Sequence, residues 1–294
     1  MNGRWVAVDG TASMVDQQWY FTKDELLDTP SIHAGYTYQA EQIDRTKGCL
    51  YILAVAAKLN LPQLVIATAC TFFHRFYMRH SMKSFPVYDI AATCLLVATK
   101  VEECTRRLKD FLNVCAQKAQ KNDSVQFEEN SKDFWKWKNT VLANETVLLE
   151  AICFDFSIDH PQAALLELAS ELDVPEECVR RAWMLLYQAL GMPLCLIYHP
   201  RVVATAALLL AWHFSYENQP PTDWWATTGL DPAEINELAA DMLDYFQEHY
   251  HIRKPSSTPT PTTKSPYYAN SPHYTSSSQS PSPYSNPSSS QHRR

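Results

Sequence analysis

The chain has 294 residues, is 46% hydrophobic and 19% charged, and carries 25 Lys plus Arg against 32 Asp plus Glu. That composition suits one or two buried cores and excludes disorder along the whole length. Residues 1–254 hold 22 basic side chains against all 32 acidic ones, a net of −10, so direct DNA binding is not expected of this body.

Met1 to Gly10 show no basic start followed by an apolar run, so no secretory signal is expected. The longest apolar stretch, 202–214, falls short of the about 20 residues that span a bilayer, and no membrane segment is expected. The eight cysteines never form Cys-x-x-Cys and mostly sit in apolar helical runs, which reads as buried thiols in a reducing compartment. His249 and His251 have no cysteine pair nearby, so neither a metal nor a cofactor is expected. No serine or cysteine lies in a glycine-bearing turn with a base, and no catalytic residue is assigned.

Only six glycines and repeated helix-start signals predict an all-α fold. Thr22 with Glu25, Asp173 with Glu176 and Asp231 with Glu234 have capping-box spacing. A short helix is predicted at 23–27. The next ends near Asn60 and places Ile43, Leu50, Leu53, Ala54 and Ala57 on one stripe. A third runs from Leu61 to about Arg79. The fourth, 87–103, is apolar or small nearly all round, which a helix tolerates only when surrounded by others. Helices at 107–118 and 134–153 follow, the latter with Leu142, Leu149, Ile152 and Phe156 on one side.

The second half predicts helices at 161–172, 175–190, 200–214, 222–227 and 231–251. A shift of 113 positions sets Ala91, Leu95, Leu96 and Ala98 against Ala204, Leu208, Leu209 and Ala211. With the matching helix order on either side, this reads as two copies of one five-helix unit. From Pro255 onward the chain has no Leu, Ile, Val, Phe, Met or Trp, and its only charges are Lys264, Arg293 and Arg294. Such a segment cannot bury a core and is expected to be disordered.

The stretches at 19–31 (WYFTKDELLDTPS), 72–81 (FFHRFYMRHS), 95–103 (LLVATKVEE), 148–161 (LLEAICFDFSIDHP) and 223–238 (DWWATTGLDPAEINEL) resemble the cyclins, in particular transcriptional cyclins of the T and K types. The resemblance implies two tandem cyclin boxes, at 36–158 and 159–254, after an N-terminal extension (1–35) and before a disordered tail (255–294). It also implies a non-catalytic regulatory subunit. Such a subunit binds and activates a cyclin-dependent kinase acting on the RNA polymerase II C-terminal domain during elongation, in the nucleus.

By motif, Lys100 and Glu145 correspond to the pair that grips main-chain groups of the kinase's regulatory helix. Val101, Leu149, Phe154 and Phe156 correspond to an apolar pocket for an aliphatic side chain of that helix. The second box has His213 and Phe214 where Lys100 and Val101 stand, so only the first is expected to grip. The stretch 43–50 does not resemble the docking patch of cell-cycle cyclins. Arg45 is expected in an internal salt bridge and His74 as a structural histidine. The alternative reading is a cyclin-fold scaffold without elongation-kinase activation, like transcription factor IIB or the C-type cyclins of Mediator. An acidic body speaks against the DNA-binding form.

Two local features complete the reading. Phe134, Trp135 and Trp137 interleave with Lys132, Lys136 and Lys138, a pattern that suits packing aromatics beside amphipathic lysines. In the tail, Thr258, Thr260, Ser265, Ser271, Ser280 and Ser282 each precede proline and are candidate phosphosites. The tail loosely resembles the Tyr-Ser-Pro repeats of RNA polymerase II.

Overall fold

Helices account for every regular element in the computed structural model, which describes residues 16–215 and 224–250. After 3-10 turns at Asp16–Trp19 and Glu25–Leu27 come α1 (Pro30–His33), α2 (Tyr38–Lys58), α3 (Gln63–Phe76), α4 (Val87–Val101), α5 (Leu108–Ala119) and α6 (Lys132–Ala151). Then follow α7 (Pro161–Glu171), α8 (Glu176–Gln188), α9 (Pro200–His213), α10 (Trp224–Thr228) and α11 (Pro232–Tyr250). The tail and its six candidate phosphosites lie outside the described residues.

The local chemistry sets most helix ends. Hydroxyls of Thr29, Thr37 and Ser131 accept from the first-turn amides of α1, α2 and α6. Left-handed Gly35 and Gly229 follow α1 and α10, but with so few glycines the left-handed residue after a helix is elsewhere Asn60, Glu103, Lys121, Cys153 or Asp173. Thr22 and Glu25 do form a reciprocal capping box, with bonds of 2.7 and 3.2 Å, but it opens a single 3-10 turn. The predicted box at Asp173 is corrected: Asp173 is left-handed, and α8 starts after Pro175 without a side-chain cap. At Asp231 only half a box forms, from the Ala233 N–H to Oδ1 at 2.9 Å.

Two hydrophobic clusters follow the chain order, one on Trp19 and helices α2 to α6, the other on α7 to α11. At their centres stand α4, buried from Ile90 to Thr99 and packed on α2, α3 and α6, and α9, packed on α7, α8 and α11. α4 begins at Val87 and α9 at Pro200, the same shift of 113 that aligns their sequences. The clusters are tied by polar contacts: Trp183 Nε1 donates to Gln63 Oε1 at 2.6 Å, and His74 Nε2 lies 3.0 Å from the Leu190 carbonyl.

Two predicted stripes are only partly on the buried face: Leu53 and Leu149 pack on the first core and Ile152 is buried, but other members are exposed. In α2 the buried residues include Cys49, Tyr51, Ile52, Val55 and Ala56, while Ile43 and Ala57 are exposed. The inward face also carries Glu41 and Arg45, both fully buried, whose ion pair of 2.7 Å satisfies them where apolar residues were sought. Arg45 also donates to the His74 carbonyl at 3.1 Å, so the internal salt bridge and the structural role of His74 are both present. In α6, Val141 and Leu148 face the core together with Ile152, whereas Leu142 is 38% exposed. Five of the cysteines are buried, but Cys153 is exposed.

Candidate functional site

The exposed apolar row on α6 leads to the site. Leu142, Glu145 and Leu149 recur at three and four positions, which places them along one face of the helix. That face neighbours the C-terminal turn of α4, where Lys100 and Val101 emerge. Lys100 Nζ lies 2.5 Å from Glu145 Oε1, with side chains 47% and 18% exposed. An ion pair this accessible contributes at most about 1 kcal/mol to the fold, so exchanging it for partner groups costs little.

Beside the pair, Val101 and Leu149 are half-buried and rest on the first core. The chain then leaves α6 through a turn in which Cys153 and Phe154 both have φ of 55°. The turn is closed by the Phe154 N–H donating to the Leu149 carbonyl at 2.9 Å. It turns Phe154 outward at 59% exposure. Phe156 is 40% exposed and meets buried Phe72 edge-on at 6.3 Å. All six residues singled out in the sequence therefore lie on α4, α6 and the turn after α6, with a salt-bridged pair beside half-buried and exposed apolar groups.

The corresponding end of α9 differs. His213 and Phe214 are exposed there, and the Phe214 carbonyl accepts from Arg181 Nη1 at 3.0 Å. An ammonium poised to donate is missing from that position. In the aromatic–lysine stretch Phe134 is buried, and the Lys138 ammonium sits 4.5 Å from the centre of the Trp135 ring. Trp135 itself is 48% exposed, so of this stretch only Phe134 packs in the core as expected, with Trp137 resting against it.

Sequence reasoning missed the groups that hold the turn. Asp155 Oδ2 accepts from Trp19 Nε1 at 2.8 Å and from Gln18 Nε2 at 2.9 Å, while Oδ1 accepts from the Ser157 N–H at 3.1 Å. Burial alone would raise the Asp155 pKa, but these bonds, with Arg75 nearby, hold it below the usual carboxylate value. The guanidinium carbons of Arg75 and Arg79 lie 4.7 and 4.8 Å from the centre of the Trp19 ring. The signal was the lone Asp between two phenylalanines, but its partner is 136 positions away.

Two helical units built around buried hubs thus set one polar pair beside an apolar patch. The cyclin N-terminal domain matches residues 16–157. The chain is 36% identical over 246 residues to cyclin pch1 of Schizosaccharomyces pombe, covering 83% of this chain and 72% of that one. It is 32% identical over 266 residues to human Cyclin-K, and 29% over 245 residues to Cyclin-T1-3 of Oryza sativa. These alignments cover 83% and 81% of this chain, but only 45% and 50% of those relatives, so it spans about half their length.

Among solved structures, the fold matches a chain of the yeast RNA Pol II CTD kinase CTDK-1 complex with a TM-score of 0.65. That match has 18% identity and covers 80% of this chain and 75% of that one. A chain of the CAK complex of Chaetomium thermophilum gives 0.61 at 20% identity, covering 82% of each. The chain belongs to the cyclin family.

Proposed function

We propose that this cyclin binds and activates a transcriptional cyclin-dependent kinase that phosphorylates the RNA polymerase II C-terminal domain, promoting elongation. The observation that carries the reading is the salt-bridged Lys100–Glu145 pair beside the apolar surface of Val101, Leu149, Phe154 and Phe156. The similarity to K- and T-type cyclins supports the kinase class.

The chain contributes no catalytic group in this reading and works in the nucleus, with catalysis belonging to the kinase. Lys100 donates to main-chain carbonyls of the kinase's regulatory helix, Glu145 accepts from its N–H groups, and the apolar patch receives an aliphatic side chain. Because the surface fits the active position of that helix better than the inactive one, binding shifts the kinase between states. The first box, 36–158, does the gripping, and the second, 159–254, supports it. The Ser-Pro and Thr-Pro positions of 255–294 become substrates of the same kinase.

The test is to purify the full chain from its native cells, identify the co-purifying kinase and assay it on Tyr-Ser-Pro repeat peptides. Recovery of a kinase active on those peptides supports the proposal. Recovery of no kinase, or of one inactive on them, overturns it.

A further inference from the structure

The turn that displays Phe154 is one that its own sequence disfavours. Consecutive left-handed residues without glycine are costly, and a bulky aromatic there is an outlier. Such a turn persists only where its surroundings over-determine it. Besides the backbone bonds of the turn itself, from the Cys153, Phe154 and Asp155 amides to the Glu150, Leu149 and Ile152 carbonyls, side chains from two other places reach it. Arg79 Nη1 lies 2.9 Å from Cys153 Sγ, and the N-terminal segment reaches Asp155 through Gln18 and Trp19.

That segment is itself fastened at its other end to the second hydrophobic unit. The Phe21 N–H donates to the Leu196 carbonyl at 2.7 Å, and Lys23 Nζ bonds Glu237 at 2.6 Å and Asp241 at 3.0 Å. Between these ends Trp19 is buried against Arg75, whose Nε and Nη1 are buried without a hydrogen-bond partner. The indole face thus serves as the close electron-rich neighbour of an otherwise under-satisfied guanidinium.

We infer that residues 18–23 form a positioning strap: by holding Asp155, Trp19 fixes the Phe154–Phe156 turn in its docking geometry and sets kinase affinity without touching the kinase. The strap also gives the second box a part in docking although it lacks the clamp lysine. This inference rests on the docking surface proposed above.

Trp19→Phe is the sharpest test, because it keeps a ring beside Arg75 and Arg79 but removes the N–H given to Asp155. Two quantities are measured on the full chain: hydrogen exchange at the Phe154 and Asp155 amides without kinase, and affinity for the kinase recovered with wild type. Losing a hydrogen bond to a charged acceptor is expected to speed exchange at both amides and weaken binding, each about tenfold. Exchange in α4 should stay unchanged, which a general loss of stability would not allow. Asp155→Asn, which retains one acceptor oxygen, should show an intermediate effect.

Unchanged exchange at Phe154 and Asp155 overturns the strap, as does faster exchange with unaltered affinity. If wild type captures no kinase, the docking surface itself is refuted. The exchange measurement still decides whether the strap positions the turn.

Discussion

Gly48 sits where α2 crosses α3, and a single methyl there reports on how tightly the first unit is packed. A Cβ added at this position would lie 2.1 Å from Phe73 Cζ and 2.7 and 2.8 Å from Cε1 and Cε2. Carbon atoms in contact prefer about 3.5–4.0 Å, so a gap of roughly 1.5 Å must open. Phe73 cannot supply it by swinging into solvent: its ring is fully buried and packs edge-on against Tyr77 at 5.0 Å. Replacing glycine by alanine inside a helix gains about 1 kcal/mol, whereas overpacking a core costs about 1–3 kcal/mol and occasionally more.

With an overlap this large the cost falls at the upper end of that range, so the net expectation for Gly48→Ala is a loss of roughly 2 kcal/mol, read as a lower midpoint in urea at constant slope. Phe73→Leu removes the colliding Cζ, so the double variant should be more stable than the sum of the two singles by about 1 kcal/mol or more. Wild-type stability in Gly48→Ala, or additivity in the double variant, would refute the packing argument. At Gly191 the atom nearest an added Cβ is the Tyr245 hydroxyl, the far end of a longer side chain.

Arg45→Ala should destabilise by about 3–5 kcal/mol in chemical denaturation, because Glu41 would remain fully buried with only the Thr29 hydroxyl beside it. Arg45→Met with Glu41→Leu should recover most of that loss. A second expectation concerns pH. His160 is pushed below its ordinary 6.5 first by burial, with Arg75 adding and Glu102 and Asp159 opposing. Thr68 donates to Glu102 at 2.7 Å, so its oxygen is left to accept from His160 Nε2–H at 3.1 Å. Since the unfolded chain takes up this proton at a higher pH than the folded one, the contribution of His160 is complete above 6.5 and declines as pH falls below it. Unfolding measured between pH 5 and 8 should show that decline, with a shallower slope in His160→Gln.

The order of the helices was legible because their signals are local: prolines and hydroxyls at the starts, apolar periodicity between. The hubs were legible for a stronger reason, since α4 and α9 are small or apolar on all sides and only a surrounded helix can be. Faces were harder. In α2 the core accepts Arg45 and Glu41 because they satisfy each other, which no apolar count detects. In α6 two apolar rows run side by side, Val141 with Leu148 and Leu142 with Leu149, and tertiary packing alone chose the first. The second row was left at the rim, with Leu142 exposed and Leu149 half-buried on the core, where it forms part of the candidate site. Lys100 and Glu145 were reached through motif resemblance, whereas Trp19 and Asp155 meet only after the chain has folded.

The central claim is that Lys100 and Glu145 serve a kinase and not the fold. Exchanging them in Lys100→Glu with Glu145→Lys preserves an internal ion pair but reverses both groups toward a partner. The account predicts a melting temperature close to wild type together with loss of kinase binding and of phosphorylation of Tyr-Ser-Pro repeats. Kinase binding that survives the exchange at wild-type affinity would contradict it.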